Sequence, residues 1–361
     1  MTKLHSKLTG KSTGANYVNY LLVIVFYIVM MLFKSSGHLT SSFSGQLVPI
    51  CAYIIMAIAL NLVVGISGEL SLGHAGFMSV GAFSGVIAAA TMAGKITSGP
   101  LRLTISILVA AILASIVGFL IGIPVLRLQG DYLAIVTLAF GEIIKNVVNC
   151  LYVGLDGSGL HFSMTSVANL GMDASTGKVL INGPMGALGI SKLSTFLSGI
   201  ILILITLFVI QNLIHSRSGR AIMAIRDNRI AAEACGLNIT KYKLMAFVTS
   251  AAFAGMAGAL YAMNYSTVVA KKFDFNTSTL ILVFVVLGGI GNIRGSIIAA
   301  ALLTILPEML RAVNDYRMLV YAIVLIVVML VTNNEKARDF LYNRVLVKFS
   351  RKKRKGGEVI D

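Results

Sequence analysis

The amino-acid sequence predicts an all-α polytopic membrane protein of about ten transmembrane helices, with both termini cytoplasmic and some helices short or broken by glycine. Composition is the first ground: of 361 residues, 57% are hydrophobic and 12% charged, against roughly 25% charged in an average soluble chain. The apolar residues also fall in unbroken runs, such as Leu197 to Ile210 and Met318 to Val331, which a water-facing amphipathic element would interrupt with polar positions. Charge is the third ground. The 30 Lys and Arg outnumber 14 Asp and Glu for a net +16, and basic loops beside apolar spans account for that balance without nucleic acid.

At a rise of about 1.5 Å per residue, a helix needs about 20 apolar residues to cross about 30 Å of hydrocarbon. Ten segments qualify: 17–33, 47–66, 71–93, 101–123, 132–152, 193–214, 243–263, 277–292, 295–312 and 318–332. Lys3, Lys7 and Lys11 precede the first. That run is longer than the h-region of a signal peptide, about 7 to 15 residues, and no A-x-A-like site follows, so an uncleaved span is expected. The eighth and ninth are short and split by Gly288, Gly289, Gly291 and Gly295, which leaves one broken hairpin as the alternative. With the N-terminus inside, the inner segments collect 20 Lys and Arg and the outer ones nine, with Lys145 inside the fifth span. That bias and the even span count place both termini inside. The expected organisation is a cytoplasmic segment 1–16, a transmembrane domain 17–332 and a basic cytoplasmic tail 333–361.

Two connections are long. The outer one, 153–192, is rich in Gly, Ser, Asp and Asn and is expected to form short surface helices or a cap. The inner one, 215–243, is basic and holds a short helix: Asp227 or Asn228 caps its start, Ala231, Ala232 and Ala234 favour helix, and Gly236 ends it in the left-handed conformation. The tail carries five consecutive basic residues, Arg351 to Lys355, expected to anchor topology on anionic membrane lipid.

No catalytic constellation is present in the sequence. The five histidines are dispersed with no i, i+4 pair, and Cys51, Cys150 and Cys235 form neither a disulfide framework nor a CxxC metal pair. Gly10-Lys11-Ser12 resembles the end of a phosphate loop, but His5 stands where the pattern needs glycine. The chain is therefore expected to hold no catalytic residue, metal or cofactor of its own.

Polar groups within spans carry a cost unless they face protein or water. Glu69 and His74 lie in a stretch punctuated by Gly65, Gly68, Gly73 and Gly76. Two readings stand side by side: a helix break lining a translocation pathway, or a tight turn with Glu69 solvated at the inner surface. Glu142 and Lys145, three apart on one helix, read as an ion pair in preference to a proton relay.

Four blocks together resemble a known family, the permease subunits of bacterial ABC importers for branched-chain amino acids, specifically the LivM-like half. They are Leu60 to Phe77, Leu128 to Glu142, Gly219 to Leu237 and Val286 to Gly295, within a similarity that runs from about residue 45 to about residue 332. The third resembles the EAA loop through which importer permeases contact their ATPases, with Cys235 in place of the second alanine. The resemblance implies Arg226, Asp227, Arg229, Glu233, Ala234 and Gly236 as ATPase-coupling residues. It points to Asn61, Gly68, Glu69, Gly73, His74, Gly288, Gly289 and Gly291 as pathway candidates. It also implies a location in the bacterial cytoplasmic (inner) membrane, a second permease subunit, an external solute-binding protein and two cytoplasmic ATPases that bind ATP and Mg, with leucine, isoleucine or valine as cargo. Two inverted half-repeats are implied too, although the glycine breaks near Gly68 and Gly291 are not offset by five spans. The alternatives are the same machine carrying urea, amides or other amino acids, and a secondary transporter using Glu69, Glu142 or Lys145 as ion sites.

Overall fold

The computed structural model describes residues 12–36, 41–128, 130–157, 159–172 and 177–310, with isolated helical positions at 319, 322, 323 and 326. The chain divides into two units, Met1–Leu302 and Leu303–Asp361; of the second, the described part is the end of one helix and those isolated positions.

Helices α1 (Ser12–Ser35), α2 (Ser41–Asn61), α3 (His74–Thr91), α4 (Gly99–Val125) and α5 (Asp131–Asn149) come first. Strands β1 (Tyr152–Asp156), β2 (Gly159–Ser163) and β3 (Lys178–Asn182) follow, then α6 (Phe196–His215), α7 (Arg217–Asp227), α8 (Arg229–Ala234), α9 (Ile239–Ala262), α10 (Phe275–Gly288) and α11 (Ile293–Met309). Five residues after α2, Leu62–Ile66, continue it as a π-helix.

Among the described residues six helices are long and apolar enough to cross a membrane, namely α1, α2 with its π segment, α3, α4, α6 and α9. The fifth, eighth and ninth expected spans correspond to α5, α10 and α11. Helix α5 carries Asp131, Glu142 and Lys145, and α10 and α11 have 14 and 17 residues. Apart from its isolated positions the tenth span lies outside the described residues, as do residues 1–11 and the basic tail. Helix α2 is enclosed on every side, with Ile50, Ile54, Ile55, Ile58 and Leu60 all fully buried, whereas α1 exposes Leu21, Val25, Ile28 and Leu32. An all-round apolar helix is a core helix when enclosed and a lipid-facing one when not.

Helix starts follow capping chemistry. Thr195 and Ser198 form a reciprocal capping box at α6, while Ser216, Asn228, Asn238 and Asp274 accept from backbone N–H groups at the starts of α7, α8, α9 and α10. Helix α9 is the packing centre, lying against α2, α3 and α4. A Cβ at Gly81 would sit 2.1 Å from the Gly255 carbonyl, and one at Gly258 would sit 2.0 Å from that of Met78. Small residues let these backbones touch, which is how membrane helices gain packing energy without a hydrophobic drive.

The 153–192 connection differs from expectation. Its core is an antiparallel sheet of order β2-β1-β3, and its helical elements among the described residues are short 3-10 turns at Val167–Leu170 and Gly183–Met185. Apolar and aromatic residues such as Val153, Leu155, Phe162, Val179 and Ile181 favour strands, and Asp156 Oδ1 accepts from the Gly159 backbone at 3.1 Å to close the hairpin.

The connections sort to two ends. The sheet end is joined by backbone bonds: Ala187 to the Val268 carbonyl at 2.8 Å, Ile190 to Ser266 at 3.0 Å and Leu193 to Met263 at 3.1 Å. At the other end the turn after the π segment, the α7–α8 pair and the turn between α10 and α11 meet, through Arg226 to Gly65 and Gly291 to Asn61. The positive-inside expectation would have the sheet end face out. Single cysteines at Thr165 and Thr240, in a background lacking Cys51, Cys150 and Cys235, test this. An impermeant thiol reagent is expected to label position 165 on intact cells and to reach 240 only after permeabilisation; the opposite pattern would invert the topology.

Candidate functional site

The candidate residues gather where α2 runs out. Through the π segment the ladder lengthens, with Ser67 N–H donating to the Leu62 carbonyl at 3.0 Å and Glu69 N–H to the Val63 carbonyl at 3.1 Å. Carbonyls at a helix end need other donors. The Arg226 guanidinium supplies one, bonding the Gly65 carbonyl at 2.9 Å. Gly68, at φ +75°, reverses the chain beneath it, where a Cβ would lie 2.6 Å from Arg226 Cγ. A side chain at position 68 would therefore be both strained and in collision.

Asn61 fastens the same region to the second glycine-rich break. Its Oδ1 accepts from the Gly291 N–H at 2.8 Å and its Nδ2 donates to Ser296 Oγ at 2.9 Å. Gly65 and Gly291 touch backbone to backbone, so a Cβ at Gly65 would lie 2.3 Å from the Gly291 nitrogen. Gly289 and Gly291 take φ of +91° and +82°, and Gly288 packs on Gly295, its would-be Cβ 2.3 Å from Ser296 N. A recess of about 250 Å³ lined by Asn19, Gln211, His215, Gly291 and Arg294 opens beside this turn.

Glu69 and His74 face α9. Glu69 is buried and ion-paired with Lys243, which overturns the reading of a turn with Glu69 solvated at the inner surface. The turn is tucked against α9, and a carboxylate taken from water needs a partner. His74 is wholly buried. Ser250 donates its one hydroxyl proton to the Ala59 carbonyl at 2.5 Å, so it must accept from His74 Nε2–H at 2.7 Å; Nδ1 then accepts from Ser71 at 3.0 Å. That wiring assigns the neutral Nε2–H tautomer and ties α2, α3 and α9 together. Gly73 lets the turn reach α5, since a Cβ there would lie 2.3 Å from the Thr137 carbonyl. Glu142 and Lys145 form the ion pair read from their spacing.

The α7–α8 pair stands on the same end. Ile225, Ala232 and Ile239 form a small core with Leu237 and Tyr242 against it, leaving Ala231, Glu233, Ala234 and Gly236 exposed and Ile230 81% exposed. Asn228, not Asp227, caps α8, and Gly236 has φ +80°. Arg229 is half-buried. Arg226 keeps 37% of its side chain exposed and also reaches back to the spans: Asp227 Oδ1 holds its Nε and Nη2 at 3.0 and 2.8 Å while Nη1 bonds the Gly65 carbonyl. The sequence did not single out Lys243 or Ser250; the available signal was their seven-residue spacing, which puts both polar groups on one face of α9.

Comparisons with known proteins match this geometry to transport. A model of the family described as branched-chain amino acid transport system / permease component covers residues 42–329. The chain is 36% identical over 287 residues to the high-affinity branched-chain amino acid transport system permease protein LivM of Salmonella typhimurium and 37% over 290 residues to that of Escherichia coli, covering 77% of this chain and 66% of each relative. It is 26% identical over 282 residues to the permease protein LivH of Escherichia coli, over 77% of this chain and 89% of that one. The chain thus spans 66% of the length of the LivM proteins it matches. No solved structure matches.

The Glu69–Lys243 pair makes a stability prediction. Lys243→Met strands a buried carboxylate and is expected to destabilise the detergent-solubilised protein by about 3 to 5 kcal/mol. Adding Glu69→Leu should recover much of that loss. Thermal unfolding of both variants and of Glu69→Leu alone checks it, and a double-variant loss equal to the sum of the two single losses would show that the pair is not coupled.

Proposed function

Because the chain belongs to the family of branched-chain amino acid transport permease components, we propose that it is the membrane-spanning permease half of an ATP-driven importer for leucine, isoleucine or valine in the bacterial cytoplasmic membrane. Its sequence has no phosphate loop, so the work of translocation comes from two cytoplasmic ATPases that hold ATP and Mg. The LivM and LivH names of the relatives support a second, non-identical permease as partner, and a solute-binding protein delivers cargo at the sheet end.

The observation that carries this reading is the α7–α8 pair. A short helix held on its own small core presents an exposed isoleucine and small alanines beyond the spans, and an apolar helix face of that kind seats in a partner groove. The α2 end and the glycine-rich turn beside it form the gate region that docking would move. Neither carboxylate that an ion-coupled transporter would use stands alone: Glu69 is paired with Lys243 and Glu142 with Lys145.

Two substitutions on the docking face test the proposal. Gly236→Val forces a β-branched residue into the left-handed region, and Glu233→Lys reverses an exposed charge. Both variants are expected to insert normally while ATPase co-purification and leucine uptake fall on the order of tenfold, a hot-spot-sized loss. Wild-type assembly and uptake in both variants would reject docking through α8.

A further inference from the structure

We propose that Arg226 is not a docking residue but the positioning residue that transmits movement of the α7–α8 pair to the π-helical end of α2, and through Asn61 to the turn between α10 and α11. The inference rests on α8 being the ATPase contact. It adds the route by which that contact reaches the spans.

The route is a short series of named contacts. Asp227 clamps the guanidinium through Nε and Nη2, leaving Nη1 on the Gly65 carbonyl. Two of the guanidinium's nitrogens thus share one carboxylate oxygen while the third meets the helix end, a use of the planar fork that a lysine could not reproduce. Its target is the C-terminal end of a helix, where the dipole and unpaired carbonyls favour a cation. That end is a π-helix, a local departure from regular geometry that recurs at functional sites. Four residues before Gly65, Asn61 holds the Gly291 amide and the Ser296 hydroxyl. Glycine at 68 leaves room for the Arg226 stem, and glycines at 65 and 291 let the two turns touch. Displacement of α7–α8 thus pulls on Gly65, and the α10–α11 turn follows through Asn61.

The test uses the complex purified through a tag on this chain and reconstituted in liposomes, with leucine uptake and ATP hydrolysis read in the same vesicles. Arg226→Gln is expected to keep its ATPases and their hydrolysis while uptake per ATP falls about tenfold, within the usual size of a coupling energy. Arg226→Lys, which keeps a donor for Gly65 but not the fork, should recover part of the ratio; a folding defect would lower hydrolysis and uptake together and overturn the assignment. Asn61→Ala should lower the ratio too, and the double variant Arg226→Gln/Asn61→Ala should be no worse than Arg226→Gln, because the two residues act in series. Wild-type uptake per ATP in Arg226→Gln, or additive losses in the double variant, overturns the proposal. Loss of the ATPases from Arg226→Gln alone would assign Arg226 to the docking face and overturn it while leaving α8 docking intact, whereas a wild-type chain that retains no ATPase overturns both.

Discussion

In hydrocarbon every backbone N–H and carbonyl must find a partner within the protein, and the α2 end is where this constraint shapes the most structure. An enclosed apolar helix cannot end and leave its last carbonyls bare. The π segment uses some of them internally, and the Arg226 guanidinium takes the Gly65 carbonyl. The need for that donor holds the α7–α8 pair against the spans and requires glycine at 68, where the chain turns under the arginine stem. A device that satisfies a helix end also joins a surface element to the core.

The buried charges obey the same rule one level up. Glu69 sits in the turn that follows the π segment and would be costly unpaired, so Lys243, a turn into α9, meets it. Seven residues on, Ser250 reaches His74 and the Ala59 carbonyl. Polar groups on one face of α9 therefore bind the turn and α2 at two heights, while its glycines and alanines close the gaps to α3 and α4. Exchanging an ion pair for apolar residues is often neutral or better for stability, so the pair is better understood as fixing the register of the turn against α9.

How much of this was legible in the sequence depends on range. The six long apolar helices were visible because each is a local run of twenty or so residues, and the end of α8 was visible because Gly236 follows a cap-competent Asn228 by about two helical turns. The EAA-like block, local in the same way, located the α7–α8 pair. The sheet was not visible: its strands are five residues long, Gly154 interrupts one of them, and loop-like Gly, Ser and Asp surround them. The Glu69–Lys243 pair joins residues 174 positions apart, and neither neighbourhood marks the other. Arg226 stood out in the sequence as a candidate, but its bond to Gly65 did not, because the two residues lie far apart in the chain and neither neighbourhood marks the other.

The two ends of the molecule are fastened differently, and the difference bears on which of them can move. At the sheet end the joints are backbone to backbone, with Ala187 and Val268 exchanging both of their bonds and Ile190 and Leu193 adding more along the same edge. Opening that seam would bare several peptide groups together. At the α7–α8 end the joints pass through single side chains, Arg226, Asn61 and Lys243, each bonded to a turn whose glycines already tolerate positive φ. Breaking one of these joints bares only the few polar groups it satisfies, not a row of peptide groups.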